Sequence, residues 1–121
     1  MELNEYQAKA MTTCLPSCNN DVYAIAGLTA EVGEINDKVA KWVRKGICRI
    51  EANHIVFNTS SEAEVAEHRK ELAKEVGDCL WLLALLSKTI GYTLDEVGEI
   101  NIAKLADRKE RNVIIGNGDN R

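Results

Sequence analysis

The sequence predicts an all-α fold, a helical bundle of about four helices. Alanine, leucine, glutamate and lysine dominate the composition and the chain has one proline, Pro16, so little interrupts helix. Asn4/Gln7, Ser61/Glu64 and Thr93/Glu96 have the spacing of capping boxes, each a helix start. Apolar residues recur at helical spacing along the two longest segments.

In chain order, Asn4 opens a first helix over "EYQAKAMTTC", and "LPSCNN" breaks it. Asp21 is placed to cap a long second helix running to "VRKG". Arg44 and Lys45 suit its C-terminal dipole and Gly46 stops it. Residues 47–60, "ICRIEANHIVFNTS", lack helical period and hold β-branched residues, so a short hairpin or ordered loop is expected there. Ser61 opens a third helix ending at Gly91, and Thr93 a fourth running to about Arg111. The tail "NVIIGNGDNR" is expected to be loose at its end. The 121 residues suit a single domain, 1–121, with one core.

Charge and hydropathy narrow the function classes. A formal charge of −4 gives no general attraction to a nucleic-acid polymer. "LWLLALL" is far too short for a membrane span, and "MELNEYQAKAMTT" lacks the layout of a signal peptide. A cytoplasmic location is therefore expected, with Cys14, Cys18, Cys48 and Cys79 as reduced thiols. Cys14 and Cys18 with Cys48 or His54 would make a zinc set, but there is no second closely spaced pair.

The carboxylates carry the chemistry. On the third helix Leu82 and Leu86 mark a core-facing stripe that continues back through Asp78, Glu75, Glu71, His68 and Glu64. Glu75 falls within roughly 20° of Leu82 and Asp78 within about 40° on the other side, so both acids are expected to face inward. The second helix has an apolar stripe of Ile25, Leu28, Val32, Ile35, Val39 and Val43, with Glu31 and Glu34 on its flank. Packed antiparallel, the helices would bring Glu31, Glu34, Glu75 and Asp78 to one spot, with Gly33 and Gly77 allowing close approach. An unpaired buried carboxylate is costly, so four together call for cations. Hard oxygen donors suit Mg²⁺ or Mn²⁺. An isolated E-x-x-E pair is usually a solvated face, with Glu34 pairing to Lys38; two pairs on facing helices, one inside a leucine stripe, favour the metal. Asn101, Lys104 and Arg108 share one face of the fourth helix, and a cation pair beside metals suits a polyphosphate.

"GLTAEVGEI" (27–35), "KEVGDCLW" (74–81) and "NIAKLADR" (101–108) resemble the MazG-like, all-α nucleoside triphosphate pyrophosphohydrolases. The resemblance spans most of residues 4–110. It implies that Glu31, Glu34, Glu75 and Asp78 bind Mg²⁺ and form the catalytic set. A water would attack the α-phosphorus of a (d)NTP, releasing (d)NMP and pyrophosphate, while Asn101, Lys104 and Arg108 hold phosphate oxygens. It also implies a homodimer or homotetramer. Gln7 and Tyr6 lie on a helix that in this family can border the base pocket. Trp42, near the Glu31 side of its helix, could stack on a base, although a packing role is commoner for such a residue. Trp81 points well away from Glu75 and reads as packing. Two departures stand out: Ala30 occupies the position where the family often has a second glutamate, and the stretch from Glu34 to Glu75 is longer than usual. The rival readings are a non-catalytic helical interaction module and a phosphoribosyl-ATP pyrophosphohydrolase-like enzyme.

Overall fold

The computed structural model describes residues 1–121. Four helices, α1 (Leu3–Met11), α2 (Asp21–Arg44), α3 (Glu62–Thr89) and α4 (Leu94–Glu110), are joined by a 3₁₀ turn at Pro16–Cys18 and a hairpin of β1 (Cys48–Glu51) and β2 (His54–Phe57). The all-α expectation holds, and the insert is the hairpin. Its strands pair antiparallel from Cys48↔Phe57 to Glu51↔His54, leaving a two-residue turn, Ala52–Asn53. Both turn residues have positive φ (49° and 67°), as a tight right-twisting hairpin turn requires.

The helix starts differ in detail from the sequence expectation. Asn4 does not cap α1; its Oδ1 accepts the backbone N–H of Asp95 (3.0 Å), tying α1 to the start of α4. Asn20, not Asp21, caps α2, its Oδ1 accepting from Tyr23 N–H at 2.8 Å. Ser61 caps α3, but Glu64 turns its carboxylate to the Thr59 hydroxyl instead of closing a box. At Thr93/Glu96 both arms of the capping box are made. The α3 helix ends at Thr89, with Gly91 at φ 90° in the turn that follows.

α2 and α3 form the main packed pair. Contacts run from Lys38–Glu75 to Gly27–Leu82, so the helices are antiparallel. The core is Ala24, Leu82 and Leu85, with Met11, Cys14, Leu28, Trp81 and Leu86 packed round it. The close approach is at Gly27, where an added Cβ would sit 2.8 Å from Leu82 Cδ2; at Gly33 and Gly77 a Cβ would meet nothing.

This corrects the α2 stripe. Ile25, Val32 and Val43 are exposed, and the buried residues of α2 are Ala24 and Trp42. Leu28, Ile35 and Val39 of the same stripe are half-buried, and Leu28 packs on the core. Periodicity weights bulky residues, whereas the closest approach of α2 to α3 is made by the small Ala24 and Gly27, which turns the contact face partly away from that stripe. The hairpin covers the other end of the pair. Phe57 meets Trp42 edge-on (centroids 5.4 Å) and stacks on His68 (5.0 Å).

The C-terminal segment folds back on α4. Arg121 donates to the carbonyls of Val113 (3.0 Å) and Gly118 (2.7 Å), closing a loop where a loose end was expected.

Candidate metal centre

Glu31 on α2 and Glu75 and Asp78 on α3 each present a carboxylate oxygen, all lying within 4.8 Å of one another. The position follows from the antiparallel packing, which sets these residues side by side one turn beyond the Gly27–Leu82 contact. Glu31 and Glu75 are half-buried but Asp78 is exposed, so the acids rim the seam rather than lie inside it as the leucine stripe suggested. Burial, and then the charges of Asp78, Glu34 and Glu75, push the Glu31 carboxyl above its ordinary range. The same burial and the charges of Glu31, Asp78 and Glu75 raise the Cys79 thiol, which makes it a poor nucleophile. Like charges this close, on hard oxygen donors, suit a divalent cation such as Mg²⁺.

Glu34 is exposed and opens to a neighbouring cleft of about 200 Å³, lined also by Glu75, Asp37, Lys38, Lys41, Lys45, Trp42 and Ile47, with Lys41 paired to Asp37. Three residues on from Glu31, its side chain is rotated by roughly 60° about the helix. Lys38 is the cation nearest the cluster: its Nζ lies 3.2 Å from Glu75 Oε1 and 3.9 Å from Glu71 Oε2. In the solvated-face alternative Lys38 pairs with Glu34 along the same helix; it reaches across the seam instead. The spacing of Lys38, Lys41 and Lys45 at i, i+3 and i+7 was the available signal for a basic edge beside the acids.

On the other side of Glu31 and Asp78 a smaller pocket, about 110 Å³, is walled by Tyr23, Gly27, Trp81 and Leu82. Trp81 therefore lies beside the acids, and its Nε1 donates to Ala10 O (3.1 Å) and Thr13 Oγ1 (2.8 Å), which fixes the ring. Its i+3 spacing from Asp78 was legible; that α1 would lock it there was not. Tyr6 of α1 also borders the cluster, its phenol raised by burial and then by the charge of Asp78.

The remaining residues singled out from the sequence sit elsewhere. Trp42 is buried against Phe57 and His68, a packing position. Gln7 is buried: its Nε2 donates to Ala84 O (3.1 Å) and Tyr92 O (3.3 Å), and its Oε1 accepts from Leu94 N–H (3.1 Å). No residue of α4 lines either cleft beside the acids. Asn101 is exposed, and Lys104 and Arg108 engage Asp119 of the C-terminal segment, each at 3.2 Å.

The fold and the carboxylate cluster define an all-α protein suited to holding a hard divalent cation between two antiparallel helices. The chain belongs to the MazG family: the model of the MazG nucleotide pyrophosphohydrolase domain matches residues 22–113, which include all four acids. It is similar to the "Gene 37 protein" of Mycobacterium phage L5, 32% identical over 128 aligned positions covering both chains in full. No solved structure matches it. No helix is long and apolar enough to cross a membrane.

Proposed function

We propose that the protein is a Mg²⁺-dependent nucleoside triphosphate pyrophosphohydrolase converting (d)NTP to (d)NMP and pyrophosphate. The observation that carries this reading is the convergence of the Glu31, Glu75 and Asp78 oxygens within 4.8 Å, inside the family-matched segment. These three side chains would hold the cation. Mg²⁺, or Mn²⁺ in its place, supplies charge neutralisation for the triphosphate and a more acidic water for attack at the α-phosphorus. Glu34 would complete the acidic set from the adjoining cleft and accept that water's proton. Lys45 edges the same cleft and would offer a contact to phosphate oxygens, whereas Lys41 is already paired with Asp37. The Tyr23–Trp81 pocket on the opposite side receives the base, the fixed indole offering a flat apolar face.

The working unit is a homodimer or homotetramer in the cytoplasm. Support for assembly comes from the protomer itself: 10 of its 121 residues are buried, while Ile25, Val32, Ile100 and Ile102 are more than half exposed. A core this small, with these apolar side chains left outward, suits a second copy as the cover. Asn101, Lys104 and Arg108 contribute phosphate contacts in that assembly, reaching the acids of a neighbouring copy.

The test is incubation with mixed nucleoside triphosphates and Mg²⁺ in ¹⁸O-labelled water. Monophosphates carrying the label, with unlabelled pyrophosphate, are expected, and chelation should stop turnover. Diphosphates with orthophosphate, or label in pyrophosphate, would overturn the reaction assignment. Turnover confined to phosphoribosyl-ATP would favour the related enzyme, and none on any substrate the interaction module.

A further inference from the structure

The C-terminal segment ends over Lys104 and Arg108, the second of which α4 buries. Arg108 is only 5% exposed, unusual for arginine, and its Nη2 donates to Asp119 Oδ1 (3.2 Å), Asp119 O (3.1 Å) and Gly118 O (3.3 Å). Its Nε, on the same edge of the guanidinium, is buried without any hydrogen-bond partner. Lys104, one turn earlier, donates to the same Asp119 oxygen at 3.2 Å. The pair is thus a three-point cationic fork: Lys104 Nζ, Arg108 Nη2 and Arg108 Nε. A single carboxylate oxygen answers two of the points and leaves the third unmet.

A guanidinium edge is geometrically matched to two oxygens of one oxyanion, and an unmet buried donor carries a penalty. A phosphate group has the oxygens to engage Nε and Nη2 together while a further oxygen meets Lys104. Asp119 is 82% exposed on its side chain, so its hold on the fork is weakly shielded and readily exchanged. Hydrogen bonds from Lys104 and then Arg108 also keep its carboxyl below the usual carboxylate range. Asp119 lies beyond residues 22–113, outside the segment matched by the family model.

We propose that Asp119 occupies an oxyanion site formed by Lys104 and Arg108, so that the segment from 112 to 121 is an internal competitor which a polyphosphate must displace. The role of the fork in the reaction rests on the proposed pyrophosphohydrolase reading; its capacity to bind a phosphoanion does not. A resting protein would then keep its cationic fork closed and open it only against a multiply charged ligand.

The experiment compares the parent protein with Asp119→Asn and Lys104→Gln, all as full-length chains. Binding of inorganic pyrophosphate is measured by calorimetry without divalent ions, when the acidic cluster offers it no attraction. Asp119→Asn should bind pyrophosphate about two- to fivefold more tightly, the scale of losing one exposed ion pair, and the gain should shrink at high salt. Lys104→Gln, a half-exposed position that does not test folding, should bind it several-fold more weakly. Equal pyrophosphate affinity in parent and Asp119→Asn, with an unchanged KM for nucleotide, would overturn the competitor role even if the enzyme is fully active. Binding unaffected by Lys104→Gln would place the anion elsewhere and overturn the site. If no nucleotide is hydrolysed by any form yet Asp119→Asn still tightens pyrophosphate binding, the oxyanion site stands and the pyrophosphohydrolase reading alone fails.

Discussion

The α2–α3 seam and the α4 surface solve opposite electrostatic problems. At the seam, Glu31, Glu75 and Asp78 crowd together and Lys38 reaches in from α2, 3.2 Å from Glu75. Around α4, Lys104 and Arg108 are met by a carboxylate from their own chain, Asp119. The seam is left with excess negative charge that a cation would relieve. The α4 pair is closed by a segment that an anion would have to replace. On the proposed reading, each region would take one end of the same ligand, a metal-bound polyphosphate, but by different means. One stores repulsion and the other holds a substitute.

The largest effect expected from this contrast is at Asp78. Asp78→Asn keeps the shape and removes one cluster charge, so Mg²⁺-dependent turnover should fall on the order of a hundredfold or more, the scale of losing one preorganised electrostatic group. Because Asp78 is exposed, its melting temperature in chelator should stay level or rise slightly. A variant that melts several degrees lower yet hydrolyses at the parent rate would make the acid a structural partner and erase the contrast.

Gln7 sharpens the comparison from the structural side. It joins α1 to the ends of α3 and α4 through three hydrogen bonds. Gln7→Ala should cost about 2–4 kcal/mol of stability by leaving buried backbone groups unmet. Denaturant unfolding measures this, and a KM unchanged for folded protein would separate a strut from a base contact.

Lys38→Gln should move the two properties in opposite directions. Stability in chelator should fall by roughly 0.2–1 kcal/mol, as befits a partly exposed ion pair. Divalent-cation affinity, read by calorimetry, should rise several-fold because a competing positive charge is gone. Weaker metal binding would show instead that Lys38 positions Glu75.

The smallest effect is a pH dependence. Glu31 has a folded-state carboxyl raised above its unfolded value, by burial first and then by Asp78, Glu34 and Glu75. Its contribution to stability is therefore fully present below the unfolded carboxylate range and is lost as pH rises through the raised folded value. Melting temperature in chelator should decline over that interval. Glu31→Gln should flatten the decline, and saturating Mg²⁺ should reverse it. An identical pH profile in Glu31→Gln would assign the dependence to other groups.

Local signals in the chain foretold the four helices, the Thr93/Glu96 capping box and the Gly46 and Gly91 stops, because caps and left-handed glycines act within a few residues. The E-x-x-E and E-x-x-D pairs were legible for the same reason: spacing on one helix is a local quantity. Which face each helix would bury was not local. Of the α2 stripe Ile25, Leu28, Val32, Ile35, Val39 and Val43, Leu28 packs on the core while Ile25, Val32 and Val43 stay exposed, and the closest approach to α3 is at Ala24 and Gly27. Periodicity reports that a face is apolar and is silent on what covers it.

The sequence by itself therefore determined an all-α chain carrying two acidic pairs and a basic helix, since helix formation and side-chain phase depend on neighbours a few positions apart. Only the tertiary structure decided that Glu31, Glu75 and Asp78 converge while Glu34 opens to the adjoining cleft. It alone decided that Lys38 crosses the seam, that Trp81 is fixed beside the acids by α1, and that Asp119 closes over Lys104 and Arg108. These are contacts between residues far apart in the chain. Their geometry depends on how closely backbones approach and where each loop returns, and neither is encoded in the period of any one helix.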